Sequence, residues 1–263
     1  MRSSTSDLHP IGRLGNHLFQ LAAQLREKYV YNKSLRIYVD ENQHYYDGFL
    51  HKFKPFLTNV PIKNTGEGVF CYTPIPVNTT VLTGYFQSSR YFSDISSEVR
   101  DWFDPLPSIK NTVSLKYASF LTDTTRNTYV IVHIRRGDYV TPANLKYHGI
   151  LTPLYYRAAM ARMREIIGDN TRFLLFSDDI EYCRITYPES DVMCVDESDE
   201  MITLHLMSQF NHYIISNSSF SWWAVYLGEP GKTVIAPDRW FGPAGPQDFQ
   251  DIYEPGWIRI KAE

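Results

Sequence analysis

Hydrophobic and polar positions follow two regimes along the chain. In the first, residues Asn16 to Val30 carry Leu18, Leu21, Ala22, Leu25 and Tyr29 at helical spacing, which predicts an amphipathic helix with one apolar stripe. Leu35 to Val39 reads as a short strand. Residues 60–80, rich in Pro, Gly, Asn and Thr, show little periodicity and read as an irregular excursion. Beyond the polar run Thr122 to Asn127 the pattern becomes regular. Tyr129 to Ile134 is a nearly continuous apolar run, as expected of a strand covered on both faces. Thr152 and Pro153 open a helix through Ile167, with Thr as N-cap and Pro at the first helical position. Arg172 to Phe176 is the next strand, followed by a helix near residues 181–187. Ser198 is expected to cap a further helix, with Asp199 and Glu200 favoured by the dipole in its first turn. Tyr213 to Ile215 is a third strand, Phe220 to Leu227 a helix, and Thr233 to Ala236 a fourth strand. Alternation of strands and helices predicts an α/β fold with a parallel sheet. A boundary near residue 125 divides an irregular first domain, 1–125, from a regular Rossmann-like second domain, 126–263.

Composition narrows the class. A chain of 263 residues makes one large domain or two small ones, and that size buries about 70% of the unfolded surface. With 26 Lys+Arg against 29 Asp+Glu the net charge is -3, which argues against a general nucleic-acid binder. At 43% hydrophobic and 15% aromatic the composition is globular rather than disordered. No run approaches 18 consecutive apolar residues, so no helical membrane span is expected. Met1 to Pro10 is polar and shows no apolar core of a signal peptide. The expected location is therefore cytoplasmic, unless an N-terminal anchor has been removed. Cys71, Cys183 and Cys194 are too few and too scattered for a disulfide framework and read as free thiols. The glycosylation triplets at Asn32, Asn78 and Asn217 say little without a secretory signal.

Ligands of open α/β sheets bind beyond the carboxyl ends of the strands, so the residues after each strand are the informative ones. The first regular strand runs into His133-Ile134-Arg135-Arg136-Gly137-Asp138, the second into Ser177-Asp178-Asp179, and the third into Ser216-Asn217-Ser218-Ser219-Phe220-Ser221-Trp222-Trp223. If the strands are parallel, two arginines, two carboxylates and a hydroxyl-rich helix N-terminus share one rim. Arginine forks match phosphate oxygens, and a helix N-terminus offers N–H groups to an anion. A carboxylate can accept from N1–H and the 2-amino group of guanine together. The rim therefore reads as a site for a guanine nucleoside diphosphate. Taken singly, Arg135-Arg136 is a surface pair, Asp178-Asp179 a helix cap and at least one of Trp222 and Trp223 core packing; the argument rests on their coincidence. Gly12-Arg13-Leu14-Gly15-Asn16 opens the first helix, and its glycines allow close backbone approach to a phosphate or sugar, or simply a helix-opening turn. Tyr226 stands where a P-loop ending in Gly231-Lys232-Thr233 would need glycine, and no Asp-x-Asp, HExxH, Cys/His cluster or GxSxG occurs. No metal is expected, so arginines would neutralise a leaving diphosphate.

At these residues the chain resembles the α-1,2-fucosyltransferases of glycosyltransferase family 11. The matching motifs are G-x-L-G-N-x-x-F-Q at Gly12–Gln20, H-x-R-R-x-D at His133–Asp138 and S-N-S-S-F-S-W-W at Ser216–Trp223, with lesser matches at Gly84–Ser88, Tyr155-Tyr156 and Phe176–Asp179. They span about residues 12–240, and the second is shared with α-1,6- and protein O-fucosyltransferases. Gly12-Arg13 replaces a more usual Gly-Gly, His17 stands where Gln is commoner, and only Leu8 and Ile11 mark the apolar strand that normally precedes the turn. The resemblance implies a GT-B-like α/β fold of two Rossmann-like domains, a reduced, irregular acceptor-side first domain and a regular nucleotide-binding second one. It implies GDP-L-fucose as donor, a galactose-terminated glycan as acceptor, inversion at the anomeric carbon and no cofactor or required metal. Arg135 would hold the β-phosphate, supported by Arg136 and His133; Asp178 or Asp179, preferably Asp179, would read guanine. Ser218, Ser219 and Phe220 would meet the diphosphate, and Gly15 and Asn16 the diphosphate or fucose. Asp138 would orient the arginines; Asp138 and His17 are the candidate bases. Tyr85, Phe86, Trp222 and Trp240 are candidates to line a sugar cleft. A fucosyltransferase of other linkage and a non-catalytic sugar-binding module are the alternatives.

Overall fold

The computed structural model describes residues 4–64, 70–122, 127–168 and 170–262. Two compact units result: Met1–Ile109 with Asp248–Glu254, and Lys110–Gln247 with Pro255–Glu263. The expected boundary near residue 125 falls on residues 123–126, outside the described residues, and part of the irregular excursion, 65–69, does so too.

The first unit holds a three-stranded parallel sheet of β1 (Thr5–Leu8), β2 (Ser34–Ile37) and β3 (Val81–Leu82), in the order β2-β1-β3. Helix α1 (Leu14–Tyr31) lies between β1 and β2 in the chain and buries the predicted stripe, Leu18, Leu21, Ala22 and Leu25. Its stripe ends early, because Tyr29 is 44% exposed. Buried Gln24 pins the helix to the sheet by donating from Nε2 to the carbonyls of Ser6 at 2.7 Å and Arg36 at 3.1 Å. An ion pair between Glu27 and Lys33, both buried, closes the helix C-terminus. Strand β1 is present despite its weak apolar signal, since Ser6, buried as fully as a hydrophobe at 1% exposure, occupies a core position beside Leu8. Short helices α2 (Ser96–Trp102) and α3 (Pro107–Lys116) follow, and the division between units falls within α3.

After α4 (Ala118–Thr122), the second unit carries β4 (Thr128–Ile134), α5 (Pro142–His148), α6 (Pro153–Ile167), β5 (Thr171–Ser177), α7 (Ile180–Thr186), β6 (Val192–Cys194), α8 (Glu200–Met207), β7 (His212–Ile214), α9 (Ser219–Leu227), β8 (Thr233–Pro237) and β9 (Ile258–Ile260). All six strands pair in parallel, in the order β6-β5-β4-β7-β8-β9. Four of the strands were legible as apolar runs; β6 and β9, of three residues each, were not. Alternate residues of β4 serve opposite faces. Val130, Val132 and Ile134 join the core formed with Tyr155, Met160 and Met163 of α6. His133 faces the other way, its ring 5.5 Å from that of Phe220 in α9. Two capping expectations change. Asp199, not Ser198, caps α8, because its Oδ1 accepts from the N–H groups of Met201 and Ile202. Thr152 occupies the N-cap position of α6 in extended backbone, but its side chain makes no capping bond. Trp222 and Trp223 are both wholly buried. So is Trp240, at 2% exposure, and these rings serve packing rather than a cleft.

Candidate functional site

Strand order reverses beside β4: the chain proceeds outward through β5 and β6, then returns to the other flank of β4 with β7. The carboxyl ends of β4 and β7 therefore frame the topological switch point, where such sheets bind ligands. The parallel register brings Ile134 opposite Ser177, so Arg135–Asp138 and Asp178-Asp179 leave the sheet at the same level. Across the switch point, His133 Nδ1 lies 2.8 Å from Ser216 Oγ, linking β4 to the segment after β7.

The arginine turn is held mainly by Asp178. Its Oδ1 accepts from the backbone N–H of Arg136 at 2.8 Å and of Gly137 at 3.0 Å, and its Oδ2 pairs with Arg135 Nη1 at 2.7 Å. Gly137 is required by this clamp, because a Cβ there would stand 2.9 Å from Asp178 Cγ. Arg135 also pairs with Asp138 through Nη2, and its guanidinium lies 5.3 Å from the Tyr139 ring. Tyr139 stacks on His148 with centroids 4.4 Å apart and donates from its hydroxyl to the Asn217 carbonyl. Burial pushes that phenol up to about 12, so it remains a donor at neutral pH. Arg136 donates from Nε to Asp179 Oδ2 at 3.0 Å and lies over the Tyr182 ring at 3.5 Å. Asp179 caps α7 through Oδ1, which accepts from the Tyr182 N–H. Asp178 is thus committed to the turn; Asp179 is engaged through both oxygens too, but is the more exposed of the two carboxylates, at 38% against 22%.

The serine-rich segment is largely self-satisfied. Ser218 caps α9 by accepting from the Phe220 N–H, and Ser221 donates to the carbonyls of Ser216 and Ser218. The hydroxyls so used are scaffold: they shape the N-terminus of α9, where Ser218 already takes the Phe220 N–H. Sequence reasoning gave no role to Gly137, Tyr139 or Tyr182. The parallel register was the available signal for Gly137; nothing in the pattern marked the two tyrosines.

In the first unit the glycine-rich turn has its own network. Gly12 adopts φ +86°, and a Cβ there would lie 3.1 Å from Asn16 Cβ. Gln20 brackets Ile11, accepting from its N–H and donating to its carbonyl, and also donates to the Asn16 carbonyl. Asn16 Oδ1 accepts from Gln87 Nε2 at 2.9 Å. Gln87 follows Phe86, a bulky residue held at φ +52°, a conformation that costs energy and clusters at functional sites. Phe86 itself is buried and Tyr85 stacks on Phe70, 5.6 Å between centroids. Gly15 is buried inside α1. His17 is 1% exposed, with its ring edge-on to Tyr45 and Nδ1 3.4 Å from the Tyr46 hydroxyl. Burial lowers its pKa to about 4. An inaccessible, weakly basic imidazole is a packing group, which corrects the expectation that His17 acts as a base.

This pair of α/β units with parallel sheets is the GT-B-like arrangement of a glycosyltransferase. The family model "Glycosyl transferase family 11" matches residues 62–261, and the chain belongs to that family. An Escherichia coli protein named alpha-1,2-colitosyltransferase is 36% identical over 68% of this chain and 61% of its own length. The galactoside 2-alpha-L-fucosyltransferase SEC1 of Bos taurus is 26% identical over 73% of this chain and 54% of its own length. The chain thus matches little more than half of these relatives. Among solved structures, an Arabidopsis thaliana FUT1 variant in complex with GDP superposes with a TM-score of 0.54 at 13% identity, covering 89% of this chain and 70% of that one. No helix among the described residues is long and apolar enough to cross a membrane.

Proposed function

We propose that this protein transfers L-fucose from GDP-L-fucose to the 2-hydroxyl of a terminal galactose on a glycan, with inversion and without a metal. The observation that carries the reading is the arginine turn at the switch point, where Arg135 and Arg136 stand beside the capped N-terminus of α9. A departing diphosphate needs positive charge fixed in advance, and both devices supply it. The acceptor hydroxyl attacks from the face opposite the departing GDP, through an oxocarbenium-like transition state. As the C–O bond to the diphosphate breaks, Arg135, held in place by Asp178 and Asp138, meets the charge that develops on the phosphate. Asp138 orients Arg135 on the leaving-group side, and proton loss to water late in a dissociative path needs no base of the turn. Asp179 reads the guanine edge.

A second reading concerns the donor sugar. The relative named as a colitosyltransferase is 36% identical, and colitose is fucose lacking one ring hydroxyl, so a colitosyl donor fits the same reading. The test offers GDP-fucose, a colitosyl donor and galactose-terminated oligosaccharides, with EDTA present, and determines product linkage. An α-1,2-linked product in EDTA is the expected result. Strict metal dependence, another linkage, or binding of sugar without preference for GDP over UDP would overturn the proposal.

A further inference from the structure

Tyr139 closes a triangle of contacts between three segments of the second unit. Its hydroxyl donates to the Asn217 carbonyl at 3.3 Å. The Asn217 side chain donates in turn from Nδ2 to the His148 carbonyl at 2.8 Å. The His148 imidazole stacks back on the Tyr139 ring, 4.4 Å between centroids and 7° from parallel. The triangle ties the turn after β4 to the C-terminal end of α5 and to the segment that leads from β7 into α9. Its other two corners are supported from outside. Asn217 is 4% exposed and also donates to the Trp240 carbonyl at 3.0 Å. The His148 ring meets Tyr147 edge-on at 4.8 Å and lies 6.2 Å from Phe241. The end of α5 is pinned as well, since the N–H of Gly242 donates to the Tyr147 carbonyl and that of Ala244 to the Lys146 carbonyl. Tyr139 is therefore held at both ends, by its hydroxyl and by its ring.

Against this ring rests the Arg135 guanidinium, its Cζ 5.3 Å from the centroid, within the range of a cation–π contact. Two carboxylates also hold Arg135, Asp178 at Nη1 and Asp138 at Nη2. Both fix it by opposite charge, and both repel the phosphate that the arginine has to meet. The Tyr139 ring restrains the same group with no formal charge, because burial pushes its phenol up to about 12. A neutral restraint adds precision without opposing an anion. The far end of the same side chain is bonded to Asn217, one residue before the Ser218 that caps α9. One side chain thus reaches from the arginine to the entry of α9, the two features assigned to the leaving diphosphate. We infer that Tyr139 is a positioning residue of the transfer: it sets Arg135 in register with the N-terminus of α9, so that both act on one diphosphate as its charge develops. The inference rests on the function proposed above, and in it Tyr139 acts through Arg135 alone.

Such a role has a kinetic signature. The diphosphate carries more charge in the transition state than in bound GDP-fucose, so a misplaced Arg135 lowers kcat and leaves the donor KM nearly unchanged. A displacement near 1 Å can cost about a hundredfold. Transfer is measured on the full chain, well below the Tm of every variant. Tyr139→Leu should lower kcat by about tenfold or more, with the GDP-fucose KM within about twofold of wild type. Tyr139→Phe, which keeps the ring and gives up only the hydroxyl bond, should retain most of the turnover. In an Arg135→Ala background Tyr139→Leu should cost no further activity, because there is no guanidinium to place. If Tyr139→Leu does not fold, His148→Ala withdraws support from the same ring and should show the same split. Wild-type kcat in the variant used overturns the inference. So does an equal fractional loss in the Arg135→Ala background, or a kcat loss matched by a rise in donor KM. A wild-type protein that neither binds GDP nor transfers fucose defeats the proposed function and the inference with it; one that transfers fucose while any of those three results is obtained defeats the positioning role alone.

Discussion

Substituting Gly137 by alanine probes the arginine turn through a single methyl group. The added Cβ would stand 2.9 Å from Asp178 Cγ, inside any tolerated contact, and closer still to Oδ2, the oxygen that pairs with Arg135. The carboxylate must move, and the Arg135–Asp178 pair is what it gives up. A hydrogen bond to a charged group contributes about 1.5–3 kcal/mol. With the two side chains 12% and 22% exposed, screening reduces this to about 1–2 kcal/mol. Against it, alanine restricts the unfolded chain and returns about 0.4–1 kcal/mol. Gly137→Ala should therefore destabilise by up to about 1.6 kcal/mol, which at about 2–4 °C per kcal/mol for a unit of this size is at most a few degrees in Tm. In an Asp178→Ala background there is no carboxylate to displace, so the same methyl should become neutral or stabilising. The double-mutant cycle, read by thermal and urea unfolding, should give a coupling of about 1–2 kcal/mol. Equal loss from Gly137→Ala in both backgrounds would refute the clamp, as would a gain in the wild type. GDP calorimetry on the same four proteins tests whether the turn is also the phosphate site; affinity should fall in every variant.

Arg135→Ala should lower transfer from GDP-fucose by about 10²–10³ or more while leaving the fold intact, since Asp178 keeps its bonds to the backbone of Arg136 and Gly137; turnover near that of the wild type would remove Arg135 from the mechanism. His17 titrates at about 4 when folded against an ordinary 6.5 because burial disfavours its charged form. The unfolded chain thus binds the extra proton first, and stability present above pH 6.5 is lost as pH falls toward 4, by about 3 kcal/mol from this one group. Chemical denaturation across that window should show the slope in the wild type and a flatter one in His17→Gln; identical slopes would refute it. Lys33→Met should cost about 3–5 kcal/mol by stranding Glu27, which is 0% exposed, whereas Lys33→Met with Glu27→Leu should recover most of it; a double variant no better than the single one would contradict the pairing.

What could be read in advance follows from how each element is buried. Strands β4, β5, β7 and β8 are covered on both faces, and such strands write themselves as apolar runs. Strand β1 sits centrally in its sheet yet carries Thr5, Ser6 and Asp7, because Ser6 is buried beneath the Gln24 side chain and needs no bulk there. Hydropathy cannot report a core position filled by a small polar residue whose carbonyl is already bonded. The same limit governs the site. The motif residues were visible, but most of them turn out to hold one another: Gln20 holds Ile11, Gln87 holds Asn16, Ser216 meets His133, and Asp178 holds the arginine turn. A motif marks where a scaffold is exacting, and an exacting scaffold consumes its own polar groups.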